Sequence, residues 1–507
     1  MSTFPTTVFA GQRFAVVGLG KNGLPAARAL LAMGAAVVAW DDTPTARDAA
    51  SGLTIQDPRE AGGRFDAIVL SPGIPHIRPK PHPIAVWARE AGIPILSDAD
   101  LLFQAVRKAG SRARFVGITG TNGKSTTTAL LAHVLTQAGV QAEAGANLGP
   151  AALSLPLLPD AGVYVLEMSS YMLERLAFLR FDVAAMLNLS VDHLDRHGDM
   201  AGYGMAKRAV FDRQLAGDLA VIGIDDPLSR EMAGWLRAQP AHVAAISGEP
   251  RAPEVLTSPP PLEGGGREEG LIPANPAAPH LPPPPSLKGR ERTELHPARD
   301  PSEPTAWYDG AMLRDAAGPI MAMAEAPALP GAHNAQNAAA VFAMARHLGL
   351  SRDAIVSGLR TYPGLPHRQQ LVGRVDGIAF INDSKATNSD AAQRALVCYD
   401  RLIWIAGGMA KEDGIEPLVP LFPRIAHAFL IGRDTPILAA TLAAHGVALT
   451  EAGTLEAAVP LAAAAARAAD APVVLLSPAC ASWDQFTGYD QRGDRFAELV
   501  RTLEGER

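Results

Sequence analysis

Short, continuously apolar runs alternate along the chain with longer stretches in which apolar residues return every three or four positions. Arg13-Phe-Ala-Val-Val17 leads into Gly18-Leu-Gly-Lys-Asn-Gly23, an alanine- and leucine-rich helical pattern, and Ala36-Val-Val-Ala-Trp-Asp-Asp42. Strand, glycine turn, helix and second strand make a βαβ unit. Asp66-Ala-Ile-Val-Leu-Ser-Pro-Gly73 is another apolar run, halted by a Pro-Gly breaker. A second unit starts near Arg114-Phe-Val-Gly-Ile118, whose strand feeds a further glycine loop and then a helix expected over 126–137. Val163-Tyr-Val-Leu-Glu-Met168, Val183-Ala-Ala-Met-Leu-Asn188 and Leu219-Ala-Val-Ile-Gly-Ile-Asp225 continue the series. A third unit begins near Leu365, with strands at 378–381, 402–406, 427–431 and 473–476. Runs that are apolar throughout, rather than at alternate positions, predict parallel sheets covered on both faces. In such open sheets ligands gather beyond the carboxyl ends of the strands.

One stretch breaks the pattern. Residues 248–303 contain Ser258-Pro-Pro-Pro-Leu-Glu-Gly-Gly-Gly-Arg and a later run of four prolines, with few β-branched or aromatic residues. Such a segment buries too little apolar surface to offset chain ordering, so a disordered surface insertion is expected. The remaining length, in a chain of 507 residues, suits about three domains. A formal charge of −7 supplies no basic field for nucleic acid or an anionic membrane, so any phosphate must be held locally. Two cysteines, Cys398 and Cys480, exclude a disulfide framework and fit a reducing compartment. The N-terminal residues show no signal-peptide pattern and no run is long enough to span a bilayer, so a cytoplasmic protein is expected.

Polar clusters sit where the strands end. In Gly117-Ile-Thr-Gly-Thr-Asn-Gly-Lys-Ser-Thr126 a strand, a glycine turn, Lys124 and a helix follow in the order a triphosphate cradle requires. Ser125 could place its hydroxyl on a magnesium ion; the alternative is a structural turn with an exposed lysine. Gly18 to Gly23, with Asp41 ending the next strand, fits a nucleotide-diphosphate turn with an acidic ribose contact, for NAD or a UDP-sugar alike. Glu167, at a strand terminus, is either a magnesium carboxylate or a solvated loop residue. His193, between Asp192 and Asp195, is either a metal histidine or part of a capped surface turn. Lys207, on a helical stretch, reads as a solvated surface lysine. Asp383, Lys385 and Thr387 in Asn382-Asp-Ser-Lys-Ala-Thr-Asn388 could hold a nucleotide or an anionic amino acid, or merely cap turns.

Taken together these segments resemble the Mur ligase family of ATP-dependent amide-forming enzymes, beginning with Gly120-Thr-Asn-Gly-Lys-Ser-Thr-Thr127, a glycine loop shorter than the usual pattern. Leu365-Pro-His-Arg368, Asn382 to Asn388, Ser477-Pro-Ala-Cys-Ala-Ser-Trp-Asp-Gln-Phe486 and Arg492-Gly493 resemble its glutamate-adding members. The proline-rich insertion departs from the family pattern. The resemblance implies an α/β chain of three domains: a Rossmann-like N-terminal domain (1–104), a central P-loop-type ATPase domain with a mostly parallel sheet (105–364), and a Rossmann-like C-terminal domain (365–507).

It also implies addition of D-glutamate to UDP-N-acetylmuramoyl-L-alanine through an acyl phosphate, by a monomer using ATP and two magnesium ions. The UDP moiety would meet Leu19, Gly20, Lys21, Asn22, Asp41, Ser71, Pro72 and Gly73, with Asn147 on the substrate. ATP would meet Gly120, Thr121, Asn122, Gly123, Lys124, Ser125 and Thr126, together with Asn334, Asn337, Arg368 and Asp383. Metal would fall to Ser125, Glu167, His193 and Lys207, the last as a carbamate made from carbon dioxide. Lys124, His193 and Lys207 would be catalytic, and Lys385, Thr387, Lys411, Ser482 and Tyr489 would hold glutamate. Competing expectations are an L-glutamate-specific ligase, a folylpolyglutamate synthase-like ligase, a nicotinamide dehydrogenase built on Gly18 to Gly23, and a non-enzymatic ATP switch.

Overall fold

The computed structural model describes residues 3–249, 305–410 and 414–505. The proline-rich stretch from residue 250 onward and Lys411 lie outside the described residues. The described residues form three sheets, and the chain divides into two compact units, Met1–Glu325 with Ala332–Arg360 and Ala326–Gly331 with Thr361–Arg507.

The first unit holds two sheets. Strands β1 (Arg13–Val17), β2 (Ala36–Trp40), β3 (Thr54–Ile55), β4 (Ala67–Leu70) and β5 (Ile95–Leu96) pair in the order β3-β2-β1-β4-β5, every neighbour parallel. Phe14 and Val16 pack on Ala26, Ala27 and Leu30 of the first helix, while Ala15 and Val17 face Ile84, Ala85 and Ala88 on the other side. Both faces are covered, which is why the strand reads as an unbroken apolar run; each large side chain so buried contributes about 1.5–3 kcal/mol.

The second sheet comprises β6 (Arg114–Thr119), β7 (Ala142–Ala146), β8 (Val163–Glu167), β9 (Val183–Met186), β10 (Leu219–Gly223), β11 (His242–Ser247), β12 (Ala306–Tyr308), β13 (Met312–Asp315) and β14 (Gly318–Ala322). Their order is β14-β13-β12-β11-β10-β9-β6-β8-β7. All neighbours are parallel except at the β12–β13–β14 edge, which the hydrophobic pattern does not announce. One apolar cluster runs from Phe14 and Leu30 through Leu101 and Phe115 to Tyr164 and Phe181, so the first two sheets share a core.

In the second unit β15 (Gln370–Val375), β16 (Ile378–Asn382), β17 (Leu402–Gly407), β18 (Ile425–Ile431), β19 (Leu449–Gly453) and β20 (Val473–Leu476) pair as β15-β16-β20-β17-β18-β19, with only the β15 edge antiparallel. Helices Leu455–Ala468 and Tyr489–Gly505 cover one face, and Ser389–Leu396 with Thr435–Ala444 the other. Cys398 and Cys480 are free thiols. Among the described residues no helix is long and apolar enough to cross a membrane.

Candidate active site

Strand β6 ends at Thr119, and the loop Gly120 to Gly123 opens the helix Lys124–Gln137. Gly123 caps that helix with φ +81°, and a Cβ there would stand 2.4 Å from Asn337 Oδ1. Only glycine fits. Asn337 is held in place, accepting from Thr127 Oγ1 at 3.1 Å and donating to Asn334 Oδ1 at 3.0 Å. The two asparagines therefore brace the loop from behind. On its other side Asn188, to which the sequence pattern assigns no role, accepts the Asn122 and Thr121 amides at 2.8 and 2.9 Å. Lys124 Nζ folds over the turn and donates to the Gly120 and Thr121 carbonyls at 2.9 and 2.8 Å. Ser125 is buried and Thr126 half-buried in the first helical turn, whose positive end suits a phosphate anion.

Lys207 corrects the surface-lysine expectation. It is 1% exposed, and its Nζ donates to Gly120 O at 2.7 Å and lies 4.7 Å from the Tyr203 ring centroid. Periodicity on the helix Met200–Arg208 does not reveal that this face packs beneath the loop. Burial pushes the ammonium well below its usual pKa and the charge of Lys124 adds to the effect, while Asp192 and Glu167 oppose it. The charged form of this lysine is thereby disfavoured.

His193 adopts φ +52° before a short helix, with its Nδ1 3.0 Å from the Tyr171 hydroxyl and its Nε2 3.4 Å from Asp192 Oδ2. Its ring meets Tyr203 edge-on at 6.1 Å, and the Tyr203 hydroxyl lies 3.4 Å from Thr121 Oγ1. Histidine, buried lysine and glycine loop thus meet around one tyrosine.

Glu167 terminates β8 in register with Ile118 of β6, beside the root of the loop. It is buried; Oε1 accepts from Asn147 Nδ2 at 2.6 Å, whereas Oε2 has no hydrogen-bond partner among the described residues. A buried carboxylate oxygen without a donor is costly unless a cation meets it, so the site fits magnesium. Among the described residues no three His, Cys, Asp or Glu side chains gather as a metal cage. That suits an ion taking one or two carboxylates and completing its shell with phosphate oxygens and water.

Asn147 also belongs to a second feature, a cleft of about 520 Å³ at the carboxyl ends of the first sheet. Gly20, Lys21, Asn22, Asp41, Ser71, Pro72 and Gly73 line it, with Asp42 and His82, which the sequence reading did not assign. Leu19 is buried instead, and its amide donates to Asp41 Oδ2 at 2.7 Å. Asp41 Oδ1 accepts the Thr43 amide at 2.8 Å, so this carboxylate ties two cleft loops together. Ser71 Oγ donates to Gly18 O at 2.6 Å, and Lys21 Nζ reaches Asn147 O at 3.5 Å. His82 bonds Asp42 at 2.9 Å and holds its carboxyl below the usual range.

In the second unit the expected residues cluster at the carboxyl ends of β16 and β20. Asp383 Oδ2 accepts from Ser477 Oγ at 2.7 Å, and burial pushes this carboxyl up to about 7. Half-buried Arg368 contributes an opposing charge. Lys385 Nζ lies 5.0 Å from the Tyr489 ring centroid, and the Thr387 amide donates to Lys385 O at 2.9 Å. Ser482 is buried, its carbonyl accepting the Phe486 amide at 2.9 Å. Arg492, noted in sequence only as part of a motif, is the organiser: fully buried, it donates to Ser384 O at 2.7 Å, Cys480 O at 3.1 Å and Gly407 O at 3.4 Å. Three strand-end loops are thereby fixed to one guanidinium.

Comparison with known proteins bears on both units. Residues 118–257 match the Mur ligase middle domain and residues 367–480 the Mur ligase glutamate ligase domain. The chain is 48% identical to a UDP-N-acetylmuramoylalanine--D-glutamate ligase of Paramagnetospirillum magneticum, covering 97% of each chain. It is 44% identical to the same-named protein of Rhodospirillum rubrum, over 98% of this chain and 96% of that one. Among solved structures, UDP-N-acetylmuramate-alanine ligase MurC of Thermotoga maritima superposes with a TM-score of 0.54 over 97% of this chain and 99% of that one at 16% identity, which speaks to the fold alone.

Proposed function

This chain belongs to the Mur ligase family, and from that premise we propose that it is an ATP-dependent ligase joining D-glutamate to UDP-N-acetylmuramoyl-L-alanine. The product is a peptidoglycan precursor, made in the cytoplasm by a monomeric enzyme. The observation that carries the reading is Asn147, which lines the nucleotide-type cleft and donates to Glu167 beside the phosphate loop. One residue therefore links the cleft read as the sugar-nucleotide site to the carboxylate next to the loop read as the ATP site.

The L-alanyl carboxylate attacks the γ-phosphorus of ATP, giving an acyl phosphate and ADP. The amine of glutamate then attacks the acyl carbon, and phosphate leaves as the amide forms. Such transfer demands positioning and charge neutralisation rather than a covalent protein intermediate. Lys124 exchanges its bonds to the loop carbonyls for phosphate oxygens, keeping its charge over the transferring group. Ser125, Glu167, His193 and Lys207 are the residues that would hold two magnesium ions, which neutralise charge on the phosphates. Burial disfavours the ammonium form of Lys207; as a carbamate, formed from the neutral amine and carbon dioxide with release of a proton, this side chain would offer magnesium a carboxylate-like ligand. Asn334 and Asn337 keep the loop in shape, and Arg368 and Asp383 are read as nucleotide-binding residues. Lys385, Thr387, Lys411, Ser482 and Tyr489 receive the glutamate.

The test is phosphate release with ATP, magnesium and UDP-N-acetylmuramoyl-L-alanine, adding D- or L-glutamate in turn. Release stimulated by D-glutamate is expected. Stimulation by neither isomer overturns the assignment, and preference for L-glutamate reverses its stereochemical part.

A further inference from the structure

Arg175 follows Glu167 by eight residues, after the short helix Ser170–Leu173, yet its guanidinium is spent on a different loop. It is 5% exposed. Its Nη1 donates to Leu70 O at 2.7 Å and Ser71 O at 2.9 Å, and its Nη2 to Pro72 O at 3.1 Å and to Ile74 O. These are four of the five carbonyls between residues 70 and 74, and Ser71 to Ile74 form one wall of the cleft. The amide side of the same loop is nearly used up. Ser71 N–H bonds Val17 O, Ile74 N–H bonds Ser71 O, and Pro72 has none. Gly73 N–H has no acceptor among the described residues, and Gly73 lines the cleft.

We infer that Arg175 is a positioning residue for the diphosphate of the sugar nucleotide. By gathering the carbonyl ends of the Ser71–Ile74 turn behind the loop, it leaves the Gly73 amide as the donor offered to an anion. Carbonyl oxygens facing the cleft would repel a diphosphate, whereas the two Nη groups of one guanidinium hold four of them together, with Nε turned to His76 at 3.4 Å. The guanidinium stays charged at neutral pH although burial lowers its pKa to about 10. Because Arg175 and Glu167 belong to one short segment, the loop that grips the nucleotide and the carboxylate beside the phosphate loop are set by a common support. Glu174 stiffens that segment through His76 at 3.3 Å and through Arg196.

The inference rests on the ligase reading, and calorimetry on the full chain tests both separately. UDP and ATP, each with magnesium, are titrated into the wild type, Arg175→Met and Arg175→Lys, and KM is measured for both substrates. Arg175→Met is expected to weaken UDP binding and raise the KM for the sugar nucleotide about tenfold, with ATP affinity kept, as for the loss of a charge-assisted hydrogen bond. Arg175→Lys should fall between, having the charge without the fork. Equal UDP affinity in all three proteins overturns the inference alone. Loss of UDP and ATP affinity together, by local damage or failure to fold, assigns Arg175 to general stability and also overturns it. A wild type that binds no UDP strikes the ligase reading and this inference with it.

Discussion

Replacing Gly123 with alanine perturbs the phosphate loop at the position where the structure leaves no room for a side chain. Two costs are separable. An L-residue held at φ +81° costs roughly 1–2 kcal/mol of backbone strain. The new Cβ would also stand 2.4 Å from Asn337 Oδ1 and 3.1 Å from Leu187 Cδ1. Asn337 can retreat only by giving up its bonds to Thr127 and Asn334, each worth about 0.5–1.5 kcal/mol net. Gly139, just beyond the other end of the same helix, supplies the control: φ is +79° and nothing lies within 4 Å of its added Cβ. Gly139→Ala therefore carries the strain without the collision.

Urea unfolding should show both variants destabilised, Gly123→Ala by a further ~1–3 kcal/mol. Calorimetric titration with ATP and magnesium should show affinity reduced about 10- to 100-fold for Gly123→Ala, because moving Asn337 moves the loop, and unchanged for Gly139→Ala. Equal destabilisation of the two variants, or wild-type ATP affinity in Gly123→Ala, would refute the claim that Asn337 braces the loop.

Lys207→Ala should abolish most ligase activity, with acetate partly restoring it by supplying the missing carboxylate; an alanine variant of full activity removes the carbamate from the scheme. Glu167→Gln keeps an oxygen for Asn147 but replaces the unpartnered Oε2 with an amide, so the magnesium concentration for half-maximal activity should rise about 10- to 100-fold. An unchanged magnesium requirement excludes Glu167 as a ligand. Asp98 is buried, and desolvation raises its carboxyl from 3.8 to about 6, opposed by bonds from the Ala152 amide and Ser97. The native state then binds more protons than the unfolded chain between those values, so stability falls as pH rises from about 4 to 6, by up to ~3 kcal/mol. A neutral amide at this position escapes that loss, so Asp98→Asn should gain stability over the wild type at about pH 7.5 and lose the advantage near pH 4; parallel pH–stability curves contradict this.

The glycine loop before Lys124 and the first βαβ turn are legible because their geometry is local: glycine where φ is positive, lysine at the helix start, apolar strands on either side. What sequence hid depends on partners far along the chain. Lys207 has the spacing of a surface lysine, and only the fold shows it donating to Gly120, 87 residues earlier. Arg175 and Arg492 take backbone carbonyls as acceptors, and a carbonyl has no residue identity to find. Asp41 directly follows its strand, as the sequence predicts, but both its oxygens accept backbone amides. The strands at 306–322 escaped notice because they are short and half-buried, without a continuous apolar run.

The same reliance on backbone partners explains why the first two sheets share one compact unit. Arg175, from the central sheet's side, donates to carbonyls of residues 70–74. In the reverse direction Asp100 accepts the amides of Ala177, Phe178 and Leu179, and Asp98 that of Ala152. Arg213 then holds the carbonyls of Leu176 and Leu179, so residues 176–179 are gripped through both amides and carbonyls. Buried charges whose partners are main-chain dipoles fix position strongly, because slippage would leave an unpaired charge in the interior. A hinge between the first two sheets would have to break all of these contacts and open the shared apolar cluster. The cleft and the phosphate loop are therefore held in fixed register before either substrate arrives, which is what transfer between a sugar-linked carboxylate and ATP requires.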